Sequence, residues 1–253
     1  MCYLSLKISI LFKRTAFIFF IILVAGTITT GFAPKAGIDD ERFVTYQVNL
    51  KTQDLRFYWK NEQNEIFRSI QNLKNWLNTK NKELAFAMNG GMYKENNVPL
   101  GLYIENSKVL SPLNKANANG NFYLKPNGIF YITADNKPVI CTTANFKNNG
   151  KIKYATQSGP MLVIDGQIHP AFKKGSTNVN ARNGVGIMPD GKVVFAMSKQ
   201  PINFYDFAEY FKNLGCKNAL YLDGFVSRTY LPEKNWVQTD GNFGVMIGVT
   251  NSN

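Results

Sequence analysis

Asn89, Gln157, Arg182 and Asp223 are the residues of this 253-residue chain whose types and settings suit them to chemistry. Each stands at the polar end of a short apolar run. Ala219 to Leu222 reads as a buried strand that stops at Asp223-Gly224, and Leu84 to Met88 runs into Asn89-Gly90-Gly91. Arg182-Asn183-Gly184 precedes Val185 to Met188, and Gln157-Ser158-Gly159-Pro160 leads into Met161 to Ile164. A carboxylate, a guanidinium and two amides delivered by strand ends can hold an anion and stabilise a developing positive charge. Gly90 and Gly224 permit close backbone approach, while Ser227 and Arg228 set a hydroxyl and a second cation just beyond the Asp-Gly turn. Any one of these motifs is also an ordinary turn; their company carries the reading.

The elements that must position these residues follow from periodicity. Val44 to Leu50 and Leu55 to Trp59 alternate as an opening β-hairpin. Ile66, Ile70, Leu73 and Leu77 recur at steps of four, three and four, which predicts an amphipathic helix over 65–78 packed on a sheet. Short strands are expected at 102–105, 108–110, 122–124, 129–133, 161–164, 167–169, 185–188, 192–197, 219–222 and 243–249. Asn203 suits an N-cap, Phe207, Ala208, Phe211 and Leu214 make an apolar face, and Gly215 suits the C′ position, so a helix is expected over 204–214. The fold class is therefore α+β: a single domain with a mixed, mostly antiparallel sheet core and two or more packed helices.

A composition 45% hydrophobic is enough for one sizeable core. Lys7, Lys13 and Arg14 precede an uncharged run over 15–34 with an apolar centre at 16–25, and small residues follow at Gly31 and Ala33. This reads as a signal peptide over 1–33 ahead of a domain at 34–253, or as an uncleaved membrane anchor; both readings export the domain to the periplasm or beyond. The formal net charge of +12 becomes +9 without those three leader cations, and the basic residues are scattered rather than clustered. Envelope glycans or lipid head groups suit such a surface; nucleic acid is not implied. Cys141 and Cys216 can pair or stay as thiols, and His169 is the single histidine, so no metal site and no cofactor is expected.

Taken in order, Asn89-Gly90-Gly91, Gln157-Ser158-Gly159-Pro160, Arg182-Asn183-Gly184-Val185-Gly186 and Leu222-Asp223-Gly224 resemble the phosphodiester glycosidase family across nearly all of the mature chain. The runs Asn-Gly-Gly-Met-Tyr at 89, Pro-Leu-Gly-Leu-Tyr-Ile-Glu at 99, Gly-Asn-Phe-Tyr-Leu-Lys-Pro-Asn-Gly-Ile-Phe-Tyr at 120 and Asn-Phe-Tyr-Asp-Phe-Ala at 203 resemble its exported bacterial branch. One departure stands out: after Asp-Gly the family pattern is usually glycine-rich up to a Ser, whereas this chain has Phe225 and Val226 before Ser227. The resemblance implies a hydrolase that cleaves a glycosyl phosphodiester at the glycosidic bond, with a carbohydrate or glycosyl-phosphate substrate. In that reading Asp223 and Arg182 are catalytic, and Asn89, Gly90, Gln157, Ser227 and Arg228 bind substrate. A glycan-binding or envelope-associated protein using the same cleft without turnover remains the alternative.

Overall fold

The computed structural model of the protein describes residues 40–251; the leader read over 1–33 and the expected domain start at 34 lie outside the described residues. Among the described residues the strands form three sheets, and every pairing is antiparallel. The first sheet orders Phe43–Val48, Val193–Ser198, Asn183–Ile187, Ala219–Asp223, Met161–Ile164 and Gln167–Ile168. The second orders Trp236–Val237, Thr229–Leu231, Glu83–Asn89, Met246–Asn251 and Asp54–Tyr58. The third orders Lys108–Ser111, Tyr103–Glu105, Ile152–Ser158, Gly128–Thr133 and Pro138–Thr142. One shared core lies where they meet: Phe195 from the first sheet packs on Phe86 from the second at 5.2 Å and on Phe130 from the third at 6.0 Å between ring centroids.

Each of the two α-helices among the described residues covers the outer face of a sheet. Phe204–Asn213 starts where expected because the Asn203 side chain accepts from Asp206 N, and it buries Phe207, Ala208 and Phe211 over the first sheet. Gly184 and Gly186 give that helix its close seat. A Cβ at Gly186 would lie 2.7 Å from Cys216 Sγ and 2.8 Å from the Phe211 ring. Gly186→Ala should therefore cost about 1–3 kcal/mol of stability, read as a lowered denaturation midpoint; an unchanged midpoint would show that the helix can shift freely. Cys216 is buried and Cys141 half-buried, and both are free thiols, pushed up by burial to about 12 and about 11 respectively.

The α+β expectation holds coarsely, as two ten-residue helices on antiparallel sheets, but the core is three sheets rather than one mixed sheet. The opening hairpin does not form: Phe43–Val48 pairs with Val193–Ser198, while Asp54–Tyr58 pairs with Met246–Asn251 in another sheet. Alternation marks a half-buried strand but not its partner. The first helix spans Ile70–Thr79 rather than starting near 65, because Ser69 caps it and Arg68 sits at a φ of 63°, outside helical space. Phe122 is buried in a 3-10 turn, Asn121–Tyr123, not in a strand. The final strand begins at Met246, three residues beyond Phe243, and Pro138–Thr142 and Thr229–Leu231 are strands that periodicity does not announce.

Candidate active site

Asp223 closes its strand opposite Asn183, next to a register shift that leaves Leu222 without an opposite residue. The bulge frees the Leu222 carbonyl to accept Ser158 Oγ at 2.6 Å and re-aims the strand end. Asn183 is the clamp. Its Oδ1 accepts Asp223 N at 2.9 Å, and its Nδ2 donates to both the backbone and side-chain oxygens of Asn89 at 2.9 Å. Asn89 Oδ1 also accepts Arg228 N at 3.0 Å, so one side-chain amide ties the first sheet to the second and to the chain beyond the turn.

With Oδ1 so committed, the orientation of the Asn89 amide is fixed, and Nδ2 is left as a buried donor with no hydrogen-bond partner. A buried unpaired donor is costly unless something else meets it. That amide bears on the Asp223 carboxylate, whose Oδ1 accepts Gly224 N at 2.7 Å. Burial dominates here and pushes Asp223 up to about 7, with the Gly224 N–H and the Asn89 amide pulling the other way. No second carboxylate contributes to this shift. Burial raises the Tyr93 phenol, and the Asp223 charge adds to that effect.

Arg182 lies behind this front. Its side chain is 0% exposed, stacked on Phe204 with the guanidinium carbon 3.6 Å from the ring centroid. Nε donates to Ile202 O at 2.7 Å, and one terminal nitrogen donates to Asn178 O and Oδ1 at 3.0 and 3.1 Å. The other lies 3.4 Å from the Tyr221 hydroxyl. Among the described residues it makes no ion pair, and burial lowers its pKa. Its cation reaches the Asp223 turn through Tyr221, whose hydroxyl lies against Gly224: a Cβ there would fall 1.8 Å from the phenol oxygen. Glycine is required at 224 for this approach.

Asn89 and Asp223 thus come together, with Arg182 one side chain removed. Gln157 does not join them through its amide, which is spent on the backbone: Oε1 accepts Leu102 N and Asn114 N at 2.9 Å, and Nε2 donates to Asn114 O at 2.6 Å. Ser227 Oγ donates to Asp223 O and Gly224 O at 3.2 Å, holding the turn, and Arg228 pairs with Asp240 at 2.9 Å. Gly90 backs onto the core, where a Cβ would lie 2.6 Å from Ile247. His169 is buried, stacked on Phe172 at 4.7 Å and lowered by burial. Among the described residues no group of three His, Cys, Asp or Glu side chains is placed to hold a metal ion.

Sequence reasoning missed Asn183, Tyr221 and Tyr93 as functional candidates. All three lie inside or beside the motifs it singled out, so proximity to Asn89 and Asp223 was the available signal. A competing carboxylate exists in Glu105, which burial also raises and which helps line a cleft of about 680 Å³ with Trp59, Trp76 and Asn106. Its oxygen already takes the Tyr103 hydroxyl at 2.6 Å, whereas Asp223 faces an amide that has no other partner. That contrast favours Asp223.

Residues 82–250, which include every residue of the constellation, match the phosphodiester glycosidase (NAGPA) family. The chain belongs to the phosphodiester glycosidase family. This phosphodiester glycosidase domain is 41% identical over 187 residues to the uncharacterized protein YigE of Escherichia coli (strain K12), covering 74% of this chain and 73% of that one. Its fold is similar to the zebrafish N-acetylglucosamine-1-phosphodiester alpha-N-acetylglucosaminidase catalytic domain, auto-inhibited by its pro-peptide. The TM-score is 0.58 at 14% identity, over 85% of this chain and 86% of that one. A putative exported protein of Burkholderia pseudomallei K96243 shares the fold at a TM-score of 0.51 and 10% identity, over 82% and 73% of the two chains.

Proposed function

We propose that this phosphodiester glycosidase family protein is an exported hydrolase that cleaves a glycosyl phosphodiester at the anomeric C–O bond, in the periplasm or envelope. The observation that carries the reading is Asp223: a lone carboxylate, raised by burial to about 7, facing a buried amide donor with no other partner. The reading fits the substrate's chemistry. When the C–O bond breaks, its electron pair leaves with a phosphate oxygen that is already acidic, so no second carboxylic acid is needed to protonate the leaving group. The developing positive charge at the anomeric carbon is stabilised by the Asp223 carboxylate, which can also accept the proton of the attacking water. Asn89 Nδ2 is the donor for a phosphate oxygen or a sugar hydroxyl, and Arg182 supplies positive potential from behind Tyr221.

In this role Asp223 works ionised. Its pKa lies above the ordinary carboxylate range, so kcat/KM should rise with pH, reach half its plateau near pH 7, and stay level above it. A profile already flat from pH 5 upward would exclude Asp223 as the titrating group. Incubating the purified domain with a panel of sugar 1-phosphodiesters, and assaying free sugar and phosphomonoester, tests the reaction; saturable binding without product would favour a glycan-binding protein. Cell fractionation tests the location, and full-length protein in the soluble cytoplasmic fraction would remove the export reading.

A further inference from the structure

The turn after Asp223 presents one side chain that the proposed chemistry does not use. Ser227 N donates to Gly224 O at 2.8 Å, closing a β-turn with Phe225 and Val226 at its centre. Val226 is half-buried against the cluster under the first helix that holds Tyr230 and Phe243, while its neighbour is left in water. Phe225 is 87% exposed, the most exposed of the large apolar side chains among the described residues. The turn beneath it is tied down on all sides: by Ser227 Oγ to two carbonyls, by Arg228 N to Asn89, and by the Arg228–Asp240 ion pair.

A phenylalanine held in water on a braced turn leaves unused the burial that usually rewards that residue. Its position says what can cover it. Successive Cα atoms are about 3.8 Å apart, so the Phe225 Cα lies at most about 7.6 Å from that of Asp223, well within the reach of one bound substrate. On its other side the turn meets backbone, since Ala181 O lies 3.6 Å from where a Gly224 Cβ would be. The polar groups of the site, Asn89 Nδ2, the Tyr93 phenol and Asp223, suit the sugar and its anomeric centre. The alcohol esterified to the far side of the phosphate is the part left to meet the rim.

We propose that Phe225 is an apolar platform for that alcohol, and that the preferred substrates are glycosyl phosphodiesters of alkyl-chain alcohols. The proposal rests on the glycosyl phosphodiester reading and is tested separately from it. Binding of methyl and hexyl esters of one sugar 1-phosphate is measured by calorimetry on Asp223→Asn, with and without Phe225→Ala, and turnover of both esters on the wild type. The hexyl ester should bind more tightly by on the order of tenfold, since the platform covers one side of the chain, and Phe225→Ala should bring that ratio below about threefold. Phe225→Leu should keep most of it. Hexyl preference without turnover of either ester would uphold the platform and sink the hydrolytic reading. Equal binding of the two esters, no binding of either, or a preference that survives Phe225→Ala would overturn the platform.

Discussion

Asp223→Asn is expected to lower kcat on a glycosyl phosphodiester by on the order of a hundredfold or more, with little change in binding, while making the fold more stable. Both effects come from the same burial. The folded pKa of about 7 lies above the 3.8 of a solvated aspartate, so the folded state holds its proton to higher pH than the unfolded chain does. Below about pH 4 both states are protonated and the group costs nothing. As pH rises from there to about 7 the unfolded chain ionises first and stability falls, after which the loss is constant. Asparagine keeps the shape and the acceptor for Gly224 N and escapes that loss, and the NH2 that it turns toward the Asn89 Nδ2 donor offsets part of the gain. Each pKa unit is worth about 1.4 kcal/mol, and partial access of water to the group brings the expected gain at pH 8 to on the order of 1–2 kcal/mol. For a domain of this size that is about 2–6 °C in Tm. A variant that is inactive and less stable would mean the carboxylate is there to hold the turn.

Gly224→Ala should lower turnover by about tenfold or more and destabilise the fold by about 1–3 kcal/mol, because the new methyl would fall 1.8 Å from the Tyr221 phenol oxygen. Either the turn or the phenol must move. Moving the phenol disturbs Arg182, whose other nitrogens are fixed by Ile202 and Asn178; moving the turn displaces Asp223 from Asn89. Adding Tyr221→Phe removes the clashing atom and leaves the ring carbon at 3.1 Å from the methyl, a tight contact that a small shift relieves. The double variant should recover most of the lost Tm and part of the turnover. Equal Tm and kcat for Gly224→Ala and the wild type would show that the glycine answers to something else.

What the sequence made legible is what local physics encodes. Asn203 announced the second helix because a cap is a contact within one turn of chain, and Ala219 to Leu222 announced a buried strand because every side chain there is apolar. Ser69 caps the first helix by the same local contact, whereas Ile66, apolar at helical spacing, lies outside the helix in an isolated bridge with Lys60. Pairing was illegible: nothing in Phe43–Val48 or Asp54–Tyr58 says that each joins a strand well over a hundred residues away. The site divides along the same line. Asn89 and Asp223 were visible as polar residues at strand ends, and the structure joins them through Asn183. Arg182 reads in the sequence as a catalytic, anion-holding guanidinium, but Phe204, Ile202 and Asn178 close over it from segments that its own motif does not reveal. Gln157 looked like a ligand donor for the same reason, and the amides of Leu102 and Asn114 saturate it instead.

The central claim is cleavage of the anomeric C–O bond, and hydrolysis in ¹⁸O-labelled water tests it most directly. Carbon–oxygen cleavage places the label in the released sugar and none in the phosphomonoester, with both products formed on the order of a hundredfold or more slower by Asp223→Asn. Label in the phosphate, or an alcohol released with the sugar still joined to phosphate, would make the protein a phosphodiesterase acting at phosphorus and contradict the account built on Asp223.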